Sequence, residues 1–194
     1  MKSKKKVFLT VLCAAALVVA SVLGTMAYLT SKTDTVTNTF TVGNVAITLD
    51  EAKVTEMGAP VENADRVMAN TYKLIPGHEY TKDPKVHVTA GSEDSWLFVK
   101  VIDEIAGIED VKTVATQMTE KGWTAVTGET GVYAYNTTVA GGQNIDVFDT
   151  FKIKSDAAVA NYEGKKITVK AYAVQADGFN TAAKAWAAAP TDWQ

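Results

Sequence analysis

Lys166-Ile167-Thr168-Val169-Lys170-Ala171-Tyr172-Ala173-Val174-Gln175-Ala176 is the stretch that decides the fold. Ile167, Val169, Ala171 and Ala173 fall on one side of it, and Thr168, Lys170, Tyr172 and Val174 on the other. A repeat of two places successive side chains on opposite faces, which is the geometry of a strand and not of a helix. Residues 95–102 follow the same period with a difference: Leu97, Val99 and Val101 share one face, while Trp96, Phe98 and Ile102 share the other. Two apolar faces predict a central strand covered on both sides.

Shorter alternations surround these two. Val45, Ile47 and Leu49 share a face, and Val86 and Val88 oppose Lys85, His87 and Thr89. Residues 123–126 and 132–139 read as strands, and Ile145, Val147, Phe151 and Ile153 alternate inward around Asp149. Between them lie turn signals, Gly43-Asn44, Pro76-Gly77, Gly91-Ser92-Glu93-Asp94 and Gly141-Gly142, where proline presets one dihedral and glycine accepts a positive one. Residues 51–70 have no steady period and predict a loop with a short turn of helix; 156–164 predict a linker or a helical turn. Val111, Val114 and Met118, with Gly122 as a stop, predict a helix over 109–121. The alanine-rich run 181–189, closed by Pro190, predicts a second short helix. Many strands, few helices and closely spaced turns give a mainly β chain: an antiparallel, jelly-roll-like sandwich with a few short helices.

A different kind of segment precedes it. Lys2, Lys4, Lys5 and Lys6 stand before an apolar run over 7–23, followed by Gly24-Thr25-Met26-Ala27. A positive head, an apolar helix and small residues at the last and third-last positions make an export signal cut after Ala27, with Thr25 and Ala27 read by the peptidase and Tyr28 left as the new first residue. An uncleaved anchor is the rival reading, since residues 7–26 approach the length that spans a bilayer. The organisation is then a signal peptide and helix at 1–27, an extended arm and first strand at 28–44, and a single β-sandwich domain at 45–194.

Of 19 Lys and Arg, the four head lysines leave with the signal; 15 then face 22 Asp and Glu, a balance of −7. An acidic chain without a basic stripe does not bind nucleic acid through a general positive field. The single cysteine, Cys13, lies in the apolar run, so the exported part has neither disulfide nor thiol nucleophile. Leu12 before it argues against lipidation.

Enzymatic material is thin. His78 and His87 are the two histidines, and His78-Glu79-Tyr80-Thr81-Lys82 carries lysine where a zinc helix needs its second histidine. No Gly-x-Ser-x-Gly elbow occurs. Carboxylates at Glu93-Asp94, Asp103-Glu104, Glu109-Asp110, Asp146 and Asp149 are of the type that binds calcium, but as a set they read as a solvated surface. Asp149 stands out, because a bare charge inside an apolar alternation needs a partner or an ion. Trp96, Phe98, Trp123, Phe148, Phe151 and Trp186 follow the strands and read as core.

Threonine occupies every second position at Thr33, Thr35, Thr37, Thr39 and Thr41, with Val36, Phe40 and Val42 opposite. This is again the strand period, in β-branched residues that suit a pleated surface. An edge strand, a loose leader and a joining arm all fit it.

The junction Gly24-Thr25-Met26-Ala27-Tyr28-Leu29-Thr30, then Asn38-Thr39-Phe40-Thr41-Val42-Gly43-Asn44-Val45, and later Pro76-Gly77, Gly91-Ser92-Glu93-Asp94 and Ala173-Val174-Gln175-Ala176-Asp177-Gly178-Phe179 together resemble the exported proteins processed by the SipW-type signal peptidase, the group of TasA and camelysin. The resemblance implies a jelly-roll domain secreted to the surface or matrix of a Gram-positive cell. TasA-like members form biofilm fibres in which the N-terminal arm of one subunit fills the sheet of the next. Carried onto this chain, it makes Thr33, Thr35, Val36, Thr37, Thr39, Phe40, Thr41 and Val42 the assembly strand, with Val36, Phe40 and Val42 inserted. The expected function is a non-enzymatic structural subunit. Its partners would be further copies of itself, the signal peptidase during export, and matrix or cell-wall components. No catalytic, cofactor or metal residue is carried over, with zinc and calcium left as alternatives. The competing readings are a camelysin-like surface metalloendopeptidase, for which the chain supplies no transferable catalytic residue, and a monomeric surface domain sharing only the export route.

Overall fold

The computed structural model describes residues 43–190. The signal segment, its cleavage residues Thr25, Ala27 and Tyr28, and the threonine-alternating arm over 33–42 lie outside the described residues.

Within them the chain is mainly β, with antiparallel pairing throughout. The strands are β1 (Ile47–Asp50), β2 (Glu79–Thr81), β3 (Lys85–Val88), β4 (Ser95–Asp103), β5 (Trp123–Ala125), β6 (Val132–Tyr135), β7 (Asn144–Asp146), β8 (Thr150–Lys152) and β9 (Ile167–Gln175). They form a three-stranded sheet β1-β3-β7, a four-stranded sheet β5-β6-β4-β9 and a β2-β8 ribbon. Two short helices, α1 (Val114–Glu120) and α2 (Ala182–Trp186), accompany them.

The two-faced stretch is central, as its pattern requires. β4 pairs with β9 over its full length, from Ser95 opposite Gln175 to Asp103 opposite Ile167, and with β6 on its other side. Leu97, Val99 and Val101 point into the main core, where they meet Val86 and Val88 of β3 and Phe151 of β8. Phe98 points the opposite way, into a second cluster with Val132, Ala134 and Trp186 of α2, its ring 5.2 Å from the indole. The alternation of β9 divides as expected between these two clusters: Ile167, Val169, Ala171 and Ala173 pack on the first, Tyr172 and Val174 on the second.

Three local readings change. The helix expected over 109–121 begins only at Val114. Thr113 is its N-cap, extended at φ −67° and ψ 163°, and its side chain accepts from the Thr116 N–H at 3.2 Å. Upstream, Glu109 is held in an antiparallel bridge to Ile153, and Val111, counted on the helix face, is 92% exposed. The 51–70 segment contains no helix; the bridges Glu51–Val67 and Val54–Pro60 fold it back on itself. Glu79–Thr81 is a strand that no alternation announced, because one side chain alone, Tyr80, is fully buried. Gly58 packs directly on that ring at φ +75°; a Cβ there would lie 2.8 Å from the Tyr80 Cα, so glycine is required both for its backbone and for its missing side chain.

Candidate functional site

The two larger sheets have four edge strands, β1 and β7 in one and β5 and β9 in the other, and two of these, β5 and β7, are tied to each other. On one flank β5 and β7 are tied across the sheets by the Trp123 Nε1–H, which donates to the Asp146 carbonyl at 2.9 Å, with the indole fully buried. Lys121, just after α1, adds an ion pair to Asp149 at 2.9 Å. Asp149 therefore has its partner, a lysine, and its side chain stands 58% exposed instead of in the apolar face. The alternation breaks elsewhere: Val147 and Phe148 are both buried, so the chain turns a corner there between β7 and β8.

On the opposite flank, among the described residues, β1 pairs only with β3 and β9 only with β4, and the two edge strands are neighbours. Between them opens a cavity of about 870 Å³, whose apolar lining includes Leu49, Leu74, Ile105, Phe151 and Val169. Aromatic rings pack at and beneath its floor. Tyr80 stacks on Phe151 at 4.8 Å, and Tyr72 meets both edge-on, at 5.8 and 5.1 Å. Burial, then the nearby Glu51 carboxylate, push the Tyr72 phenol above its ordinary value; it stays a neutral donor, its O–H directed to the Thr81 carbonyl at 3.1 Å. Residues 68–74 and 159–166 form the walls, and Met68 stands 81% exposed at the rim.

Which main-chain groups face the cavity follows from the register. The Glu104 N–H donates to the Lys166 carbonyl at 3.0 Å and the Ala176 N–H to the Asp94 carbonyl at 2.6 Å, so even-numbered positions of β9 exchange hydrogen bonds with β4. The N–H and C=O groups of Ile167, Val169, Ala171, Ala173 and Gln175 then point outward, along the open edge. The side chains of the same residues, Gln175 excepted, pack on the main core. The cavity thus meets the main-chain edge at Ile167 and Val169, above an apolar lining that includes the Phe151 and Tyr72 rings.

Polar clusters hold the walls. Arg66 reaches from the 51–70 segment to Asp50 at the end of β1 and to Asp83, with Nη1 2.9 Å from Oδ2. Burial acts to raise the Asp50 carboxyl, but hydrogen bonds from Arg66 and His87 outweigh it and hold the group below the usual range. His87 also meets Asn144 at 2.8 Å, while His78 lies against the Met57 carbonyl at 2.9 Å. The two histidines thus serve separate contacts, and among the described residues no three His, Cys, Asp or Glu side chains are grouped to hold a metal. Behind Ile105, Glu109 is 3% exposed; Oε2 accepts from the Val114 N–H at 3.0 Å, and Oε1 meets no donor among the described residues. Burial and then the Asp103 charge push the Glu109 carboxyl up to about 7.

Sequence reading placed no residue in this cavity. It is built from strand edges far apart in the chain, and Lys82, Glu51 and Tyr72 in its lining carry no local pattern that marks them. No family model, characterised protein or solved structure matches the chain.

Proposed function

We propose that this protein is an exported structural subunit that joins to its neighbour by strand addition, the open β1/β9 cavity receiving an extended segment from another copy. The observation that carries the reading is a nine-residue strand edge with no second partner strand among the described residues, whose first part, Ile167 to Val169, lines an apolar slot. Strand addition draws affinity from main-chain hydrogen bonds and specificity from alternate side chains seated in pockets. Each Val or Phe side chain taken out of water adds roughly 1.5–3 kcal/mol. The segment with the matching chemistry is the arm over 33–42, with threonines on one face and Val36, Phe40 and Val42 on the other. The lysine head and apolar run before it support export, and the TasA-like sequence features support a jelly-roll subunit of a cell-surface or biofilm-matrix fibre.

The test compares the chain beginning at Tyr28 with one lacking residues 28–38, by size-exclusion chromatography and electron microscopy. Filaments from the first and monomers from the second are expected. Equal behaviour of the two removes the arm from the mechanism.

A further inference from the structure

Three segments bring an unusual trio to the polar end of the cavity. Lys82, directly after β2, is 9% exposed; Glu51, directly after β1, is 4% exposed; Asn70 lies in the 68–74 wall. The Glu51 carboxylate touches both others: Oε2 contacts the Lys82 ammonium, and Oε1 accepts from the Asn70 Nδ2–H at 2.9 Å. The Asn70 amide is held in one orientation. Nδ2 also donates to the Ala52 carbonyl at 2.8 Å, and Oδ1 accepts from the Val54 N–H at 3.0 Å, which polarises the carbonyl. Lys82 is less well provided for. Its ammonium has three donors, and Glu51 is its one acceptor among the described residues, with the Tyr72 ring 6.0 Å away. A buried ion pair with donors left over is a poor source of stability.

We propose that the trio is an intramolecular cross-linking site, in which Lys82 and Asn70 condense to a side-chain amide with Glu51 as the proton relay. Transfer of a proton from Nζ to Oε2 leaves a neutral amine, the form in which lysine is a nucleophile. Nζ attacks Asn70 Cγ, whose oxygen is held by the Val54 N–H. The bond from Cγ to Nδ2 then breaks, and Nδ2 leaves as ammonia, taking up protons that Glu51 relays from Nζ. One amide replaces another, the two protons that Nζ gives up leave on Nδ2 as ammonium, and Glu51 returns to a carboxylate beside the new linkage. No oxidant or cofactor enters. The product removes a charge from a dry site and ties the cavity wall to β2 covalently, in a chain whose single cysteine is Cys13. This inference is independent of whether the cavity accepts a strand.

Mass spectrometry of the folded, then denatured, chain decides it. The expected mass is lower than the sequence mass by one ammonia, and trypsin should yield residues 67–73 joined to residues 74–85, uncut at Lys82. Asn70→Asp should keep the bond and lose one water instead, whereas Lys82→Arg and Glu51→Gln should show no loss. A wild-type chain at full sequence mass, with peptide 74–82 released normally, overturns the proposal whether or not the variants fold. Loss of ammonia without joined peptides, the signature of a succinimide at Asn70, overturns it equally.

Discussion

Proline scanning of β9 gives the sharpest test of the strand-addition reading, because adjacent positions of this strand have opposite duties. The N–H of Val169 points to the open edge, while that of Lys170 faces Lys100 in the β4 ladder. Proline is tolerated on an edge strand where its missing N–H faces outward, and not where a ladder bond is lost. In Val169→Pro the domain should stay folded, but an incoming strand would find one carbonyl without its donor. A buried group left unpaired costs about 1–3 kcal/mol, and so weakens subunit joining by about 5- to 150-fold. In Lys170→Pro the same loss falls on the β4–β9 pairing and should appear as a lowered melting temperature. Sedimentation velocity at several concentrations measures the first effect, and thermal unfolding of the monomer the second. Assembly of Val169→Pro at wild-type concentrations would refute the use of this edge, and a failure of both variants to fold alike would refute the register argument behind it.

Other outcomes follow from the packing. Glu109 is raised from its ordinary value of 4.5 to about 7 in the fold, so the native state holds a proton that the unfolded chain releases. Stability is therefore greatest below about pH 4.5 as far as this group decides, and falls as pH rises towards 7. Glu109→Gln should raise the melting temperature at pH 8 and flatten that slope. Trp123→Ala removes a fully buried indole and the tie to Asp146, and should cost about 3–5 kcal/mol in urea unfolding. Gly58→Ala must place a Cβ 2.8 Å from the Tyr80 Cα at φ +75°, and a loss of about 2 kcal/mol is expected from the same measurement.

The strands that the sequence reveals are those with a side chain to bury at every second position. β9 and β4 declare themselves through Ile167, Val169 and Ala171, and through Leu97, Phe98 and Val99, since local period and tertiary burial agree there. β2 is silent because Tyr80 is its single fully buried side chain. The start of α1 is misjudged for the opposite reason. Val111 sits at helical spacing from Val114 and Met118, yet Thr113 caps the helix after it and the extended Glu109–Ile153 bridge occupies the chain before. The cavity is less legible still. Leu49 and Val169 line one slot without sharing any stretch of chain, and Lys82 is noticeable in the sequence only for standing where a zinc helix would want histidine. Edges and buried trios are products of topology, which no window of residues contains.

The position of β9 in the chain bears on when this protein can fold. Among the described residues the longest pairing joins β4 to the last strand, and α2, which packs on the outer face of that sheet, comes later again. Until those segments arrive, Leu97 and Phe98 have no lasting shelter, and pairings so distant in sequence close slowly. A partly made chain that stops short of residues 167–186 thus holds half of its central sheet in waiting, and the fold closes only once β9 and α2 are both present.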